Sequence, residues 1–184
     1  EIAIANFGEI GCFINNAGFS EWRPIENIDE IFLDSILRTN LMGYFWGCQA
    51  ASSKLKPGTS IINISSLATK RGTANNSAYS ASKFGVAGLT QSLAKELGPK
   101  GIRVNAVCPV LVETEGLLGA LRAIASPASG KPEEFLSDFA KSQTALGVLP
   151  TARQVSDLCL YLAKSEASAI TGQSINVDCG VLPN

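Results

Sequence analysis

The sequence predicts an α/β fold in which helices cover both faces of a parallel sheet, and three observations predict it. Short β-branched runs alternate with longer amphipathic stretches along all 184 residues. The runs are apolar on both faces, as strands inside a covered parallel sheet must be. With 46% hydrophobic and 17% charged residues, there is enough apolar material for one core, and hence for one domain over residues 1–184.

The elements follow in order. Cys12-Phe-Ile-Asn15 reads as the first strand. Asn27, with Glu30 three residues on, reads as an N-cap and its partner, opening a helix through Ile31, Phe32, Ile36 and Leu37 that continues to about Leu55. Ser60 to Ser65 is a second strand. Ser77 to Leu97 is a second helix, with Val86, Leu89, Leu93 and Leu97 at helical spacing and Gly98-Pro99 as its stop. Ile102 to Cys108 is a third strand. Residues 113–150 are a long excursion beyond that strand's carboxyl end, with a short helix begun by Pro132, Glu133 and Glu134, and read as a substrate-binding lid. Thr151 and Gln154 form a capping box for a third long helix, whose apolar face is Val155, Leu158, Cys159 and Leu162, and Ser174 to Asp178 is the last strand.

Composition removes several function classes. Fifteen Lys and Arg against sixteen Asp and Glu leave a net charge of −1 with no basic stripe, so neither nucleic acid nor a membrane surface is the expected partner. No apolar run reaches the roughly 18 residues of a membrane span, and Glu1 to Asn6 lacks an export signal. The five cysteines are odd in number and widely spaced, as reduced thiols of a cytoplasmic protein are. Histidine is absent altogether. That excludes Ser-His-Asp and Cys-His catalysis and any His-ligated metal, so no metal is expected and proton transfer falls to Tyr, Lys, Asp, Glu or Cys.

Tyr79-Ser-Ala-Ser-Lys83 supplies such a group. Four residues apart on a helix, the phenol and the ammonium share a face, and a neighbouring cation is expected to lower the Tyr79 pKa toward working pH. Alone, the spacing also fits a solvated surface pair. Ser66 adds weight, since it ends an apolar strand thirteen residues earlier, and ligands of open α/β sheets bind outside strand carboxyl ends. Taken singly, Ser65-Ser66 is also an ordinary turn. Ser80-Ala-Ser-Lys83 fits the Ser-x-x-Lys pattern of serine acyl-transfer enzymes, but the companion Ser-Asp-Asn and Lys-Thr-Gly motifs are missing.

With these motifs in hand, the chain resembles the short-chain dehydrogenases/reductases. Asn15-Asn-Ala-Gly18, Thr39-Asn-Leu-Met-Gly43, Ser66 with Tyr79 and Lys83, Arg103 to Pro109 leading to Thr114, and Thr171 to Asp178 match that family's motifs in order and spacing. The resemblance implies a Rossmann-type doubly wound sheet in three αβα layers, and an enzyme interconverting a secondary alcohol and a ketone with NAD or NADP, the choice between them open. It implies that Tyr79 is the general acid/base, that Lys83 tunes it and binds the nicotinamide ribose, that Ser66 positions the substrate oxygen, and that Asn40 holds a relay water. Asn16, Ala17 and Gly18 would line the adenosine side, and Pro109, Val112 and Thr114, with Tyr79 and Lys83, the nicotinamide side. The expected partners are a small carbonyl or alcohol substrate and further copies of the chain, as a homodimer or homotetramer built on the helix Ser77 to Leu97 and the helix around Asn40.

The chain also departs from the family pattern. Val110 and Cys179 stand where the family has Gly, and Gly11 where it often has an acid. The Gly-rich phosphate turn and the first strands have no counterpart, and Gly116-Leu-Leu-Gly119 is no substitute. The expectation is therefore the carboxyl-terminal two-thirds of a longer chain. The alternative is a non-catalytic piece that keeps only the oligomerisation surfaces.

Overall fold

The computed structural model describes residues 2–183 and sets four parallel strands side by side in the order β1-β2-β3-β4: β1 Cys12–Asn15, β2 Ser60–Ile64, β3 Arg103–Pro109 and β4 Ser174–Val177. Phe13, Ile61 and Val104 are in register across β1 to β3. They face α3 (Gly43–Ser52) and α4 (Ser77–Leu97), where Cys48, Ala51, Ala94 and Leu97 close one core. On the other face Ile62, Val107 and Ile175 meet α7 (Ala152–Ala163) through Val155, Leu158, Cys159 and Leu162. This is the expected three-layer αβα arrangement. Each fully buried Ile or Val of β2 and β3 stabilises it by roughly 1.5–3 kcal/mol.

The polar residues inside these strands are fasteners. Arg103 donates to the carbonyls of Leu162 at 2.7 Å and Lys164 at 3.1 Å, satisfying the open carboxyl end of α7. Asn105 donates to the Ile170 carbonyl at 2.8 Å and accepts from the Gln173 N–H at 3.1 Å, which brings β4 alongside β3. Nearer the site, the Asn15 amide donates to Asn63 Oδ1 at 2.9 Å, and the Asn63 amide donates to Thr90 Oγ1 at 3.0 Å. That chain runs from β1 through β2 to α4. Gly47 permits it, because a Cβ there would collide with Asn15 Oδ1.

Several boundaries differ from expectation. The cap of the first long helix is Asp29, whose extended backbone lets its carboxylate accept from the Phe32 N–H at 2.7 Å; Asn27 instead ends a 3-10 turn, Ile25–Asn27. The expected continuous helix is three pieces, α2 (Glu30–Leu37), a π-helical turn (Arg38–Met42) and α3, and it ends at Ser52. α1 (Ile2–Phe7) buries nothing and carries no periodic signal. Within residues 113–150, α6 (Pro132–Gln143) starts at the expected proline, but α5 (Glu115–Leu121), capped by Thr114, is an addition. α4 and the Thr151–Gln154 capping box stand as read. Among the described residues β1 pairs with β2 alone, and Ile14 is 46% exposed.

Candidate active site

The carboxyl ends of the strands open into a cavity of about 1120 Å³ between the sheet and residues 113–150. Ser66 and Tyr79 both line it. Ser66 follows β2 with an extended backbone (φ −165) and caps the 3-10 turn Leu67–Thr69, its Oγ accepting from the Ala68 N–H at 3.1 Å. That bond uses a lone pair and leaves the hydroxyl hydrogen free to donate. Tyr79 lies in the first turn of α4, and Lys83 one turn further on, 3% exposed.

The Lys83 ammonium donates to the Ile64 carbonyl at 3.0 Å and to the Tyr44 hydroxyl at 3.5 Å, and lies 5.7 Å from the centre of the Tyr79 ring. Tyr44 itself donates to the Ile64 carbonyl at 2.7 Å. Sequence reasoning does not single out Tyr44, because its only signal is a tyrosine one turn past Asn40. Fully buried Asn40 sits in the π-helical turn, where its amide accepts from the Phe19 N–H at 3.0 Å and donates to the Phe19 carbonyl at 2.7 Å. Gly18 closes this layer. A Cβ there would stand 3.1 Å from Asn40 Oδ1 and 3.5 Å from Lys83 Nζ.

Of the remaining expected residues, Asn16, Pro109, Val112 and Thr114 line the same cavity. Ala17 and Gly18 lie on exposed loop surface, and Asn40 and Lys83 are buried behind the cavity wall. The Thr114 oxygen has a local task as well, accepting from the Leu117 N–H at 3.2 Å as the cap of α5. Val110 also lines the cavity, and its N–H donates to the Val177 carbonyl at 3.2 Å.

The electrostatics correct one expectation. Burial raises the Tyr79 pKa above the ordinary phenol value, with the Ser66 hydroxyl opposing, while burial lowers Lys83 to about 8. Desolvation therefore sets the direction for both groups, and the ammonium directs hydrogen bonds to Ile64 and Tyr44 and none to the phenol. Burial likewise raises the thiol of Cys108, whose sulfur lies behind the site. Among the described residues no group of three or more His, Cys, Asp or Glu could hold a metal, and no helix is long and apolar enough to cross a membrane.

The family model described as Enoyl-(Acyl carrier protein) reductase matches residues 1–182. The chain belongs to the short-chain dehydrogenase/reductase family. It is 37% identical over 180 residues to a diacetyl reductase, (S)-acetoin forming, of Staphylococcus aureus strain Mu50, covering 96% of this chain and 69% of the relative. It is 38% identical over 186 residues to the L-2,3-butanediol dehydrogenase of Corynebacterium glutamicum, covering 99% and 71%. Among solved structures, the aldohexose dehydrogenase of Thermoplasma acidophilum in ligand-free form superposes with a TM-score of 0.88 at 31% identity, over 98% of this chain and 71% of that one. As a short-chain dehydrogenase/reductase, the chain is an oxidoreductase.

Proposed function

We propose that the chain carries the proton-transfer half of an alcohol–ketone oxidoreductase, with NAD or NADP as the redox partner. One observation carries this reading: the hydroxyls of Ser66 and Tyr79 line one cavity, with the buried Lys83 ammonium on the same helix as Tyr79. The cavity suits the nicotinamide end of a dinucleotide, since Asn16, Tyr79, Pro109, Val112 and Thr114 border it together. For the adenosine end, Ala17 and Gly18 offer an exposed loop, a weaker hold. When bound, the nicotinamide supplies or accepts hydride.

The chain's residues do the rest. Ser66 points a free hydroxyl hydrogen at the substrate oxygen and holds it near Tyr79. Burial keeps the Tyr79 phenol protonated at neutral pH, which is the state needed to give a proton to a ketone oxygen being reduced. Lys83, pinned to Ile64, fixes a positive charge beneath the site below about pH 8. The Asn40 amide exchanges hydrogen bonds with the Phe19 main chain in both directions, which leaves one N–H and one lone pair for a relay water. Substrates to try first are those of the relatives' names, diacetyl and 2,3-butanediol. Incubation with diacetyl and NADH or NADPH, followed by nicotinamide absorbance, tests the reading; oxidation of either coenzyme is the expected result.

A second reading rests on a different surface. Phe45 and Trp46 of α3 are 48% and 54% exposed, and Phe84 of α4 is 49% exposed. With Leu41, Leu89 and Leu93 bordering an open groove alongside Phe45 and Trp46, this face suits a second copy of the chain, as a homodimer or within a homotetramer. Self-association without turnover on either coenzyme would favour an assembly role over catalysis.

A further inference from the structure

The lid has a core of its own, and a residue from a distant loop, Trp22, enters it. Leu121, Ala128 and Leu136 pack with Leu117, Phe135 and other lid neighbours and with Leu111 just before the lid, and buried Trp22, from the loop after β1, completes the cluster. Next to Trp22, the Arg23 N–H donates to the Asn75 carbonyl at 2.6 Å. Asn75 holds a left-handed backbone (φ 59), a conformation asparagine tolerates better than most residues. Its side-chain amide reaches across to donate to the carbonyl of Ala125, in the lid, at 3.0 Å. Ser20 reinforces the same junction by donating to Asn76 Oδ1 at 3.4 Å.

Three segments therefore meet at Asn75, and all three wall the cavity: Ser20 and Trp22, Thr73 and Asn76, and Ala128 and Ser129. We infer that Asn75 is a positioning residue that latches the lid over the cavity, acting through Trp22. Swinging the lid away breaks the Asn75–Ala125 hydrogen bond and withdraws the lid's apolar residues from the Trp22 ring. The left-handed turn aims the amide at Ala125 while its carbonyl holds Arg23, so one residue sets the spacing between the Trp22 loop and the lid. The latch belongs to the cavity wall and holds whatever reaction the cavity serves.

The sequence contains two tryptophans, Trp22 and Trp46, so a Trp46→Phe background leaves Trp22 as the sole indole emitter. In that background Asn75→Gly keeps the left-handed turn and removes the amide, and Asn75→Asp replaces the donor with an acceptor facing the Ala125 carbonyl. Loss of one hydrogen bond shifts the open fraction by roughly five-fold. Expected in both variants are a red shift of Trp22 emission, greater acrylamide quenching, and amide hydrogen exchange roughly five-fold faster over residues 116–131, with exchange in β2 and β3 unchanged. Parent-like emission, quenching and lid exchange in Asn75→Gly overturn the latch. Faster exchange spread equally over the lid and the central strands also overturns it, by showing a general loss of stability.

Discussion

Lys83 and Tyr79 share a face of α4, yet no hydrogen bond joins them; the ammonium lies 5.7 Å from the centre of the phenol ring and bonds the Ile64 carbonyl. Any influence of Lys83 on the phenol therefore acts through its field and not through a direct hydrogen bond.

Removing the phenol tests the proton donor directly. Tyr79→Phe keeps the ring in the cavity wall and deletes the phenol hydroxyl, so turnover is expected to fall by about 10²–10⁴-fold with little change in melting temperature. Wild-type turnover in this variant, measured by nicotinamide absorbance, sinks the assignment.

The raised phenol pKa sets a direction for the pH profile. Alcohol oxidation needs the phenolate, which is scarce below a pKa lying above the ordinary value, whereas ketone reduction uses the protonated form. Oxidation is expected to rise from pH 7 to about 8, the range in which Lys83 keeps its charge, without a plateau near neutrality. A plateau near neutrality would show that the phenol is acidic after all.

Lys83 makes a stability prediction with a defined window. Its pKa is about 8 in the folded chain against the ordinary lysine value of 10.5, so between those values the unfolded chain binds more protons and this group makes stability rise with pH. At pH 7 the fold carries the full cost of a buried cation. Lys83→Met is therefore expected to unfold at higher urea than wild type at pH 7, by at most about 3 kcal/mol, with the advantage shrinking from pH 8 to 10.5. An advantage that grows with pH contradicts the burial argument. The same variant is expected to lose turnover at every pH.

Space is tight at Gly18, where a Cβ would press on the Asn40 side-chain oxygen at 3.1 Å and touch Lys83 Nζ at 3.5 Å. Gly18→Ala is expected to loosen the Asn40–Phe19 pairing, lower stability by about 1 kcal/mol and reduce turnover. Unchanged thermal denaturation and kinetics would mean the loop shifts freely.

Cys179 occupies a left-handed conformation (φ 53), the region glycine adopts without a side-chain penalty. A side chain there costs about 1–2 kcal/mol, partly offset by the extra chain entropy glycine loses on folding. Cys179→Gly is expected to raise the melting temperature slightly, and a fall would show that the sulfur makes a compensating contact.

By itself, the sequence determined the layered parallel sheet, the span of α4, the Thr151–Gln154 cap and the association of Ser66 with Tyr79 at a strand's carboxyl end. These are readable because apolar periodicity, capping and helical spacing depend on residues a few positions apart. Only the tertiary structure decided that Asp29 rather than Asn27 caps α2, and that Tyr44 and Ile64 receive the Lys83 ammonium. It also decided that burial raises the Tyr79 pKa, and that Trp22 and Asn75 meet residues 113–150. Desolvation and hydrogen-bond partners are set by groups far apart in the chain, such as Phe19 against Asn40 or Asn75 against Ala125, and no local pattern encodes those meetings.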